Sequence, residues 1–378
     1  MIEHPIKDQG HSKTKKLFIL IALIGATVTI VNYHNLYQKK LDVKRFQYSA
    51  SRNIPPFPAK YHRGFLVSSS KCKIIDLDPF NDEAMQFHSA KRYQNCTKRQ
   101  LLTYVTKEDN VATLHINTSL QSAYSLKNIR CCYSNIIRDS DGEYPDTTIN
   151  ISMCQEFTNS VLISQDPVMV NCIDDDGLIY ENVHIAVTMT KSIEDKITKS
   201  KKRRPISLLM IGIDSVSRLN FIRTMPHTYN YVETNHWIPL LGFNKKGDNT
   251  FPNMMAILTG LDVSLLMEDK ICNPYIFGEL DTCPMIWKNY SKLGYITAYA
   301  EDEPYRVAFN YAKGFKTPPT DYYFKPYVLA TQKLSKGYTY IDGLSYCTGP
   351  ETAGERIMNL ANDFSATFKS YPYLGLFG

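Results

Sequence analysis

No cysteine occurs in the first 70 residues of this 378-residue chain, and none of its nine cysteines stands in a Cys-x-x-Cys pair. Without that pair, zinc-ribbon and thioredoxin readings fall away. None of the nine histidines lies in an Asp-His-Gly motif. Charge of one sign is scarce too: 43 basic against 37 acidic residues leave +6, carried mostly by the N-terminal arm and one linker. A nucleic-acid partner requires a basic face on the folded body, so none is expected. What is present is globular. An apolar content of 43% and 26 tyrosines argue against disorder, and the length suffices for two or three domains.

The N-terminus carries the clearest physical signal. Lys13, Lys15 and Lys16 precede Leu17 to Val31, whose only polar side chains are Thr27 and Thr29; Lys39, Lys40, Lys44 and Arg45 follow. The run is short of the about 20 residues that span a bilayer, and Asn32 and Tyr33 extend it into the interface. Ala26 is succeeded by more apolar residues, so no cleavage site ends the run, and 17–33 reads as an uncleaved transmembrane signal anchor. Lysines on both flanks leave the positive-inside rule nearly silent.

Orientation comes from what lies downstream. All nine cysteines (Cys72, Cys96, Cys131, Cys132, Cys154, Cys172, Cys272, Cys283, Cys347) and four glycosylation acceptors (Asn95, Asn117, Asn150, Asn289) follow the anchor. Together they predict a single-pass type II protein of the secretory pathway, at the Golgi or cell surface or in the extracellular space, with a disulfide-bonded body. The odd count leaves at least one thiol unpaired or shared between chains, so a disulfide-linked or non-covalent oligomer is among the expected partners.

The chain then divides by pattern. Residues 1–16 read as a cytosolic tail and 34–65 as a stem with Pro55, Pro56 and Pro58. From 66 to 198 short alternating runs predict a β-rich module, with strands at 101–105, 112–116, 148–152 and 183–190. Residues 199–205, Lys-Ser-Lys-Lys-Arg-Arg-Pro, form a basic linker. Pro205 after Arg204 argues against processing there. Over 206–378 strands and helices alternate, the mark of a parallel α/β sheet with flanking helices. Strands are expected at 206–213 (continuous, apolar and buried), 237–243, 295–300 and 373–377, and helices at 252–258, 285–293 and 351–368. The end at Gly378, directly after a strand, reads as that of a fragment or shortened isoform.

Two segments carry the chemistry. The first, Leu208 to Arg218, puts Asp214 at the carboxyl end of a buried strand, where ligands bind in such sheets. The second, Gly247 to Gly260, puts Thr250 before a helix with Pro252 in its first turn and Gly260 at its end. Taken alone, Thr250 is an N-cap worth about 1 kcal/mol, and Asp214 caps the helix that follows it. The sharper alternative makes Thr250 a nucleophile stabilised by the helix dipole and a metal.

The run from Thr250 to Gly260 resembles the sulfatase signature Cys-x-Pro-Ser-Arg-x-x-x-Leu-Thr-Gly, with Pro252, Leu258, Thr259 and Gly260 in register. The two segments together resemble the family catalogued as domain of unknown function 229, placed within the alkaline-phosphatase/sulfatase-like superfamily. That resemblance implies an alkaline-phosphatase-like core, Thr250 as catalytic residue and metal ligand, and Asp214 as the first metal ligand. It also implies a divalent zinc, calcium or magnesium cofactor and an anionic phosphoester or glycan ligand. Threonine cannot be oxidised to the sulfatase aldehyde, Met254 replaces an arginine, and Ser215 stands where a second aspartate is common. All three departures favour phosphoester over sulfate-ester chemistry. The remaining metal ligands of that superfamily come from Asp-His motifs in the second half of the domain, so the chain as written is expected to be inactive.

Two readings from other classes stay open. One is a non-catalytic cell-surface or secreted binding protein that keeps a hydrolase fold. The other is a Golgi glycosyltransferase holding a sugar-nucleotide metal on Asp174 and Asp176, a run that equally describes a solvated turn. Glu301, Asp302 and Glu303 read as solvated loop charge, and His184, His227 and His236 as structural or surface groups.

Overall fold

The computed structural model describes residues 64–89, 93–164, 166–199, 206–305, 308–309, 313–341 and 343–378. The expected anchor at 17–33, the tail, nearly all of the stem and most of the basic linker lie outside them. Among the described residues, no helix is long and apolar enough to cross a membrane.

The first half is antiparallel. Thr103–Glu108 and Val111–Ile116 pair through Asp109 and Asn110, both with positive φ, the two-residue turn that matches strand twist. Ser160–Ile163 adds a third strand. Alternation along Val111–Ile116 sends Ala112, Leu114 and Ile116 into a core shared with Val168, Val170 and Tyr180. A second sheet runs Gly177–His184, Val168–Asp174, Arg130–Arg138 and Ile149–Ile151, with Gln155–Phe157 also on Arg130–Arg138. The strand expected at 183–190 ends at His184. Beyond it, side chains satisfy the backbone in place of a ladder. Val187 N–H donates to Asp363 and its carbonyl accepts from Lys107, while Asn110 brackets both backbone groups of Met189.

The second half is built on a four-stranded parallel sheet in the order Leu208–Ile211, Tyr373–Phe377, Ile296–Ala300, Tyr322–Tyr323, with a small antiparallel sheet of Thr339–Ile341, Leu344–Thr348 and Glu351–Thr352 beside it in sequence. Alternation splits the parallel sheet between two cores. Leu374, Leu376 and Tyr299 face the helices Thr250–Thr259 and Ile286–Lys292 through Phe251, Met255, Leu258 and Trp287. Ile296, Ala298, Ala300 and Phe377 face the helix Ala353–Thr367 through Ile357, Leu360, Ala361 and Phe364. Thr352 caps that helix by accepting from Glu355 N–H at 3.2 Å, in a Thr-x-x-Glu sequence.

Two expectations for this half need correction. The 206–213 strand forms only over Leu208–Ile211 and is an edge, not a buried strand: Leu209 is 38% and Ile211 45% exposed. Among the described residues its sole partner is Tyr373–Phe377. Residues 237–243 form no strand, and Trp237 and Ile238 stand 65% and 87% exposed. An apolar run makes a strand only where a neighbouring ladder pairs it.

The antiparallel and parallel parts share the core that holds Ile136, Met169, Val183 and Val187 together with Ile296 and Phe364. Asp146, 1% exposed, ties them further. It accepts from Arg138 Nη2 at 2.8 Å, Phe315 N–H at 2.7 Å and Tyr323 hydroxyl at 2.6 Å. Gly314 permits this approach, because a Cβ there would sit 2.4 Å from Asp146 Oδ2. Buried Arg356 reaches back to Asn182 Oδ1 at 2.6 Å and the Val183 carbonyl at 3.0 Å. Four disulfides, Cys96–Cys347, Cys131–Cys172, Cys132–Cys154 and Cys272–Cys283, leave exposed Cys72 as the free thiol.

Candidate functional site

The ladder of the edge strand runs one residue past Ile211, since Gly212 N–H donates to the Phe377 carbonyl at 2.7 Å. Asp214 follows, exposed, at the carboxyl rim of the sheet. Ser215 then takes a left-handed φ of 56°, a conformation that costs a non-glycine residue about 1–3 kcal/mol and clusters at functional sites. This sharp turn lets Ser217, not Asp214, cap the next helix, Arg218–Thr224, by accepting from Asn220 N–H at 3.1 Å. Asp214 is thereby free to face the rim.

Thr250 is the first residue of its ten-residue helix, with Asn249 at the cap position and no side-chain cap bond there. The Thr250 hydroxyl instead donates to Asp214 Oδ1 at 3.2 Å. Asn253 fixes the loop that delivers it. Its Oδ1 accepts from Lys246 N–H at 2.6 Å, and its Nδ2 donates to the carbonyls of Gly247 at 2.9 Å and Asn249 at 2.6 Å. Gly247 packs so tightly that a Cβ would lie 2.7 Å from Pro252 Cγ. Sequence reasoning missed Asn253. Its signal was a short amide inside a helix, a position such residues fill poorly unless the side chain has backbone work to do.

The neighbouring strand Ile296–Ala300 ends at the same rim in Glu301, Asp302 and Glu303, and these are not solvated loop charge. All three are half-buried. Glu301 accepts from the Tyr299 hydroxyl and from Ala308 N–H at 3.1 Å, and Glu303 accepts from Ser345 N–H. Burial raises the Glu301 carboxyl above its usual range. Burial, reinforced by Glu303, Glu301 and Asp214, pushes Asp302 up to about 6. The rim is electrostatically hungry for a cation or a proton.

A zinc, calcium or magnesium ion takes four or more protein or water ligands. Among the described residues, no three His, Cys, Asp or Glu converge to hold a metal. Asp214 and Thr250 supply two oxygens and do not fit such an ion by themselves.

The other candidates lie elsewhere. Asp174 ends the strand Val168–Asp174 and Asp176 lies in the two-residue turn before Gly177–His184, where Asp174 Oδ1 accepts from Asp176 N–H and Lys127 pairs with Asp176 at 2.6 Å. His184 is buried against Thr103 Oγ1 at 2.7 Å, and burial drives its pKa down to about 4. His227 and His236 are exposed. Of the acceptors, Asn95, Asn150 and Asn289 are exposed and Asn117 is half-buried.

The family described as protein of unknown function (DUF229) matches residues 89–378. The chain belongs to the DUF229 family. The matched stretch takes in the two antiparallel sheets described above for the first half, the parallel sheet, all four disulfides and the Asp214–Thr250 pair. No curated protein and no solved structure matches the chain.

Proposed function

We propose that this DUF229 member is a membrane-anchored protein with its body in the lumen or outside the cell. We further propose that its parallel sheet is an alkaline-phosphatase-like core built for phosphoester hydrolysis. The single observation that carries the hydrolase reading is the 3.2 Å bond from the Thr250 hydroxyl to Asp214 Oδ1. A hydroxyl that starts a helix and points its proton at a carboxylate has the arrangement a nucleophile and its base require, and that supports the reading. The helix N-terminus beside it favours an anionic ligand. In this reading Thr250 Oγ1 attacks phosphorus and its proton passes to Asp214. The ester P–O bond breaks and the alcohol or phenol leaves; water then cleaves the phosphothreonine to release phosphate. Asn253 holds the 246–249 loop that leads into Thr250. Four disulfides support the oxidising compartment.

The test is hydrolysis of nitrophenyl phosphate and bis(nitrophenyl) phosphate by the purified chain, with zinc, calcium or magnesium added separately. Turnover that vanishes in Thr250→Ala supports the reading. Turnover unchanged in Thr250→Ala rejects it. Inertness toward both esters under every metal, with ligand binding retained, would favour a binding protein on a hydrolase scaffold.

A further inference from the structure

We propose that Asn95 is an N-glycosylation site filled while Cys96 is still a thiol, so that glycan addition precedes closure of the Cys96–Cys347 disulfide. This rests on the lumenal placement proposed above. The acceptor is Asn95-Cys96-Thr97, and its middle residue pairs with Cys347, 251 positions onward.

Once that bond is closed, the acceptor is pinned on both sides. Gln94 N–H donates to the Tyr346 hydroxyl at 2.9 Å, and the same hydroxyl donates to the Gln94 carbonyl at 3.1 Å. Cys347 itself sits in the Leu344–Thr348 strand. A glycosyl-transferring enzyme has to grip the three residues of the acceptor, and a segment bonded to a strand cannot be lifted into it. The Asn95 side chain is exposed in the folded chain, so a glycan already in place is accommodated.

Chain growth supplies the window. At about 5–20 residues per second, Cys347 emerges roughly 10–50 s after Cys96 across their separation of 251. Asn150 has no such interval. It lies inside the loop closed by Cys132 and Cys154, only 22 apart, on the Ile149–Ile151 strand, and its amide donates to Asp139 at 3.2 Å. Asn117 is half-buried and accepts from Ser119 of its own acceptor triplet at 2.7 Å. Of Asn95, Asn117 and Asn150, Asn95 is the one closed off by a disulfide partner far downstream.

The chemistry balances in two steps. Asn95 Nδ2 bonds to the anomeric carbon of an oligosaccharide carried on a lipid pyrophosphate. The carbon–oxygen bond to the pyrophosphate breaks, the lipid pyrophosphate departs, and Nδ2 releases one proton to solvent. Later the Cys96 and Cys347 thiols are oxidised together, passing two electrons and two protons to a disulfide of a lumenal oxidoreductase.

The test expresses the full chain in secreting animal cells, with a pulse label, a chase, alkylation of free thiols and mass spectrometry of the Asn95 peptide. Pulse-labelled chains are expected to carry the Asn95 glycan with Cys96 still alkylatable, and chased chains to carry it with Cys96 protected. Thr97→Ala should lose one glycan. Cys347→Ser should keep Asn95 occupancy at or above the parent level, a reading on the nascent chain that does not require the variant to fold. Asn95 left bare while another acceptor is filled overturns the proposal, as does loss of Asn95 occupancy in Cys347→Ser. Four bare acceptors with nine alkylatable cysteines overturn the lumenal placement itself, a pattern distinct from either.

Discussion

Thr250 and Asp214, 36 residues apart in sequence, meet in a hydrogen bond of 3.2 Å at the carboxyl rim of the parallel sheet. The hydroxyl makes that contact from the first residue of its helix, with Asn249 at the cap position, so the two side chains can be tested as a pair. If the chain turns over a phosphoester, contrary to the inactivity expected from its sequence, Asp214→Asn should lower that turnover by about 10²–10⁴-fold, the usual worth of a positioned base. Thr250→Ala should lower it at least as far, and Thr250→Ser should restore part of it. Initial rates check this. Equal melting temperatures across the three variants would separate chemistry from folding.

Asn253→Ala removes the clamp on residues 246–249 and leaves backbone groups of that loop without partners. The expected cost is about 1–3 kcal/mol, read as a lowered urea midpoint with an unchanged slope. Turnover should fall together with stability. A variant as stable as the parent would show that solvent replaces the clamp.

Asp302 and His184 make opposite contributions to the dependence of stability on pH. The Asp302 carboxyl is raised from 3.8 to about 6, so the folded state binds more protons between those values. Its stabilising effect is full below about pH 4 and is lost as pH rises through 6. His184 is lowered from 6.5 to about 4, so the unfolded state binds more protons across that range. Its effect is full above about pH 6.5 and is lost as pH falls through 4. Each pKa unit is worth about 1.4 kcal/mol. Asp302→Asn should therefore stabilise the chain at pH 7 by up to about 3 kcal/mol, and His184→Gln should flatten the acid limb. Urea unfolding at pH 4–7 measures both. An unchanged pH profile in either variant would count against the burial assigned to that group.

The disulfides should differ in worth by the loops they close. In the chain-entropy account, Cys96–Cys347, with separation 251, is worth about 5 kcal/mol, and Cys272–Cys283, with separation 11, about 3 kcal/mol. Paired serine replacements at each bridge, compared by denaturant unfolding, should preserve that order. The reverse order would show that native contacts, not loop closure, dominate.

Periodicity made the interior of the parallel sheet legible. Ile296–Ala300 and Tyr373–Phe377 follow their apolar runs closely, and Ala353–Thr367 follows the spacing of Ile357, Leu360, Ala361 and Phe364. Pairing was not legible, because hydropathy records what a side chain wants and not which ladder meets it. Hence Leu208–Ile211 proved an edge and residues 237–243 formed no strand. The Lys325–Thr331 helix is buried along its whole length and so shows no polar face to mark its period. At the rim, a strand end and a helix start located Asp214 and Thr250. The burial of Glu301 was hidden, because a carboxylate triplet looks solvated until the Tyr299 hydroxyl is placed against it.

The one-sided pairing of Leu208–Ile211 bears on how the molecule behaves at high concentration. Neither a lysine nor a proline interrupts Leu-Leu-Met-Ile, so its outer amides and carbonyls form a ready template for a strand from a neighbouring molecule. Among the described residues this edge stays unpaired, so concentrated preparations should associate through it. A cation placed there by Leu209→Lys should keep the protein dispersed under light scattering without disturbing Asp214 five residues downstream.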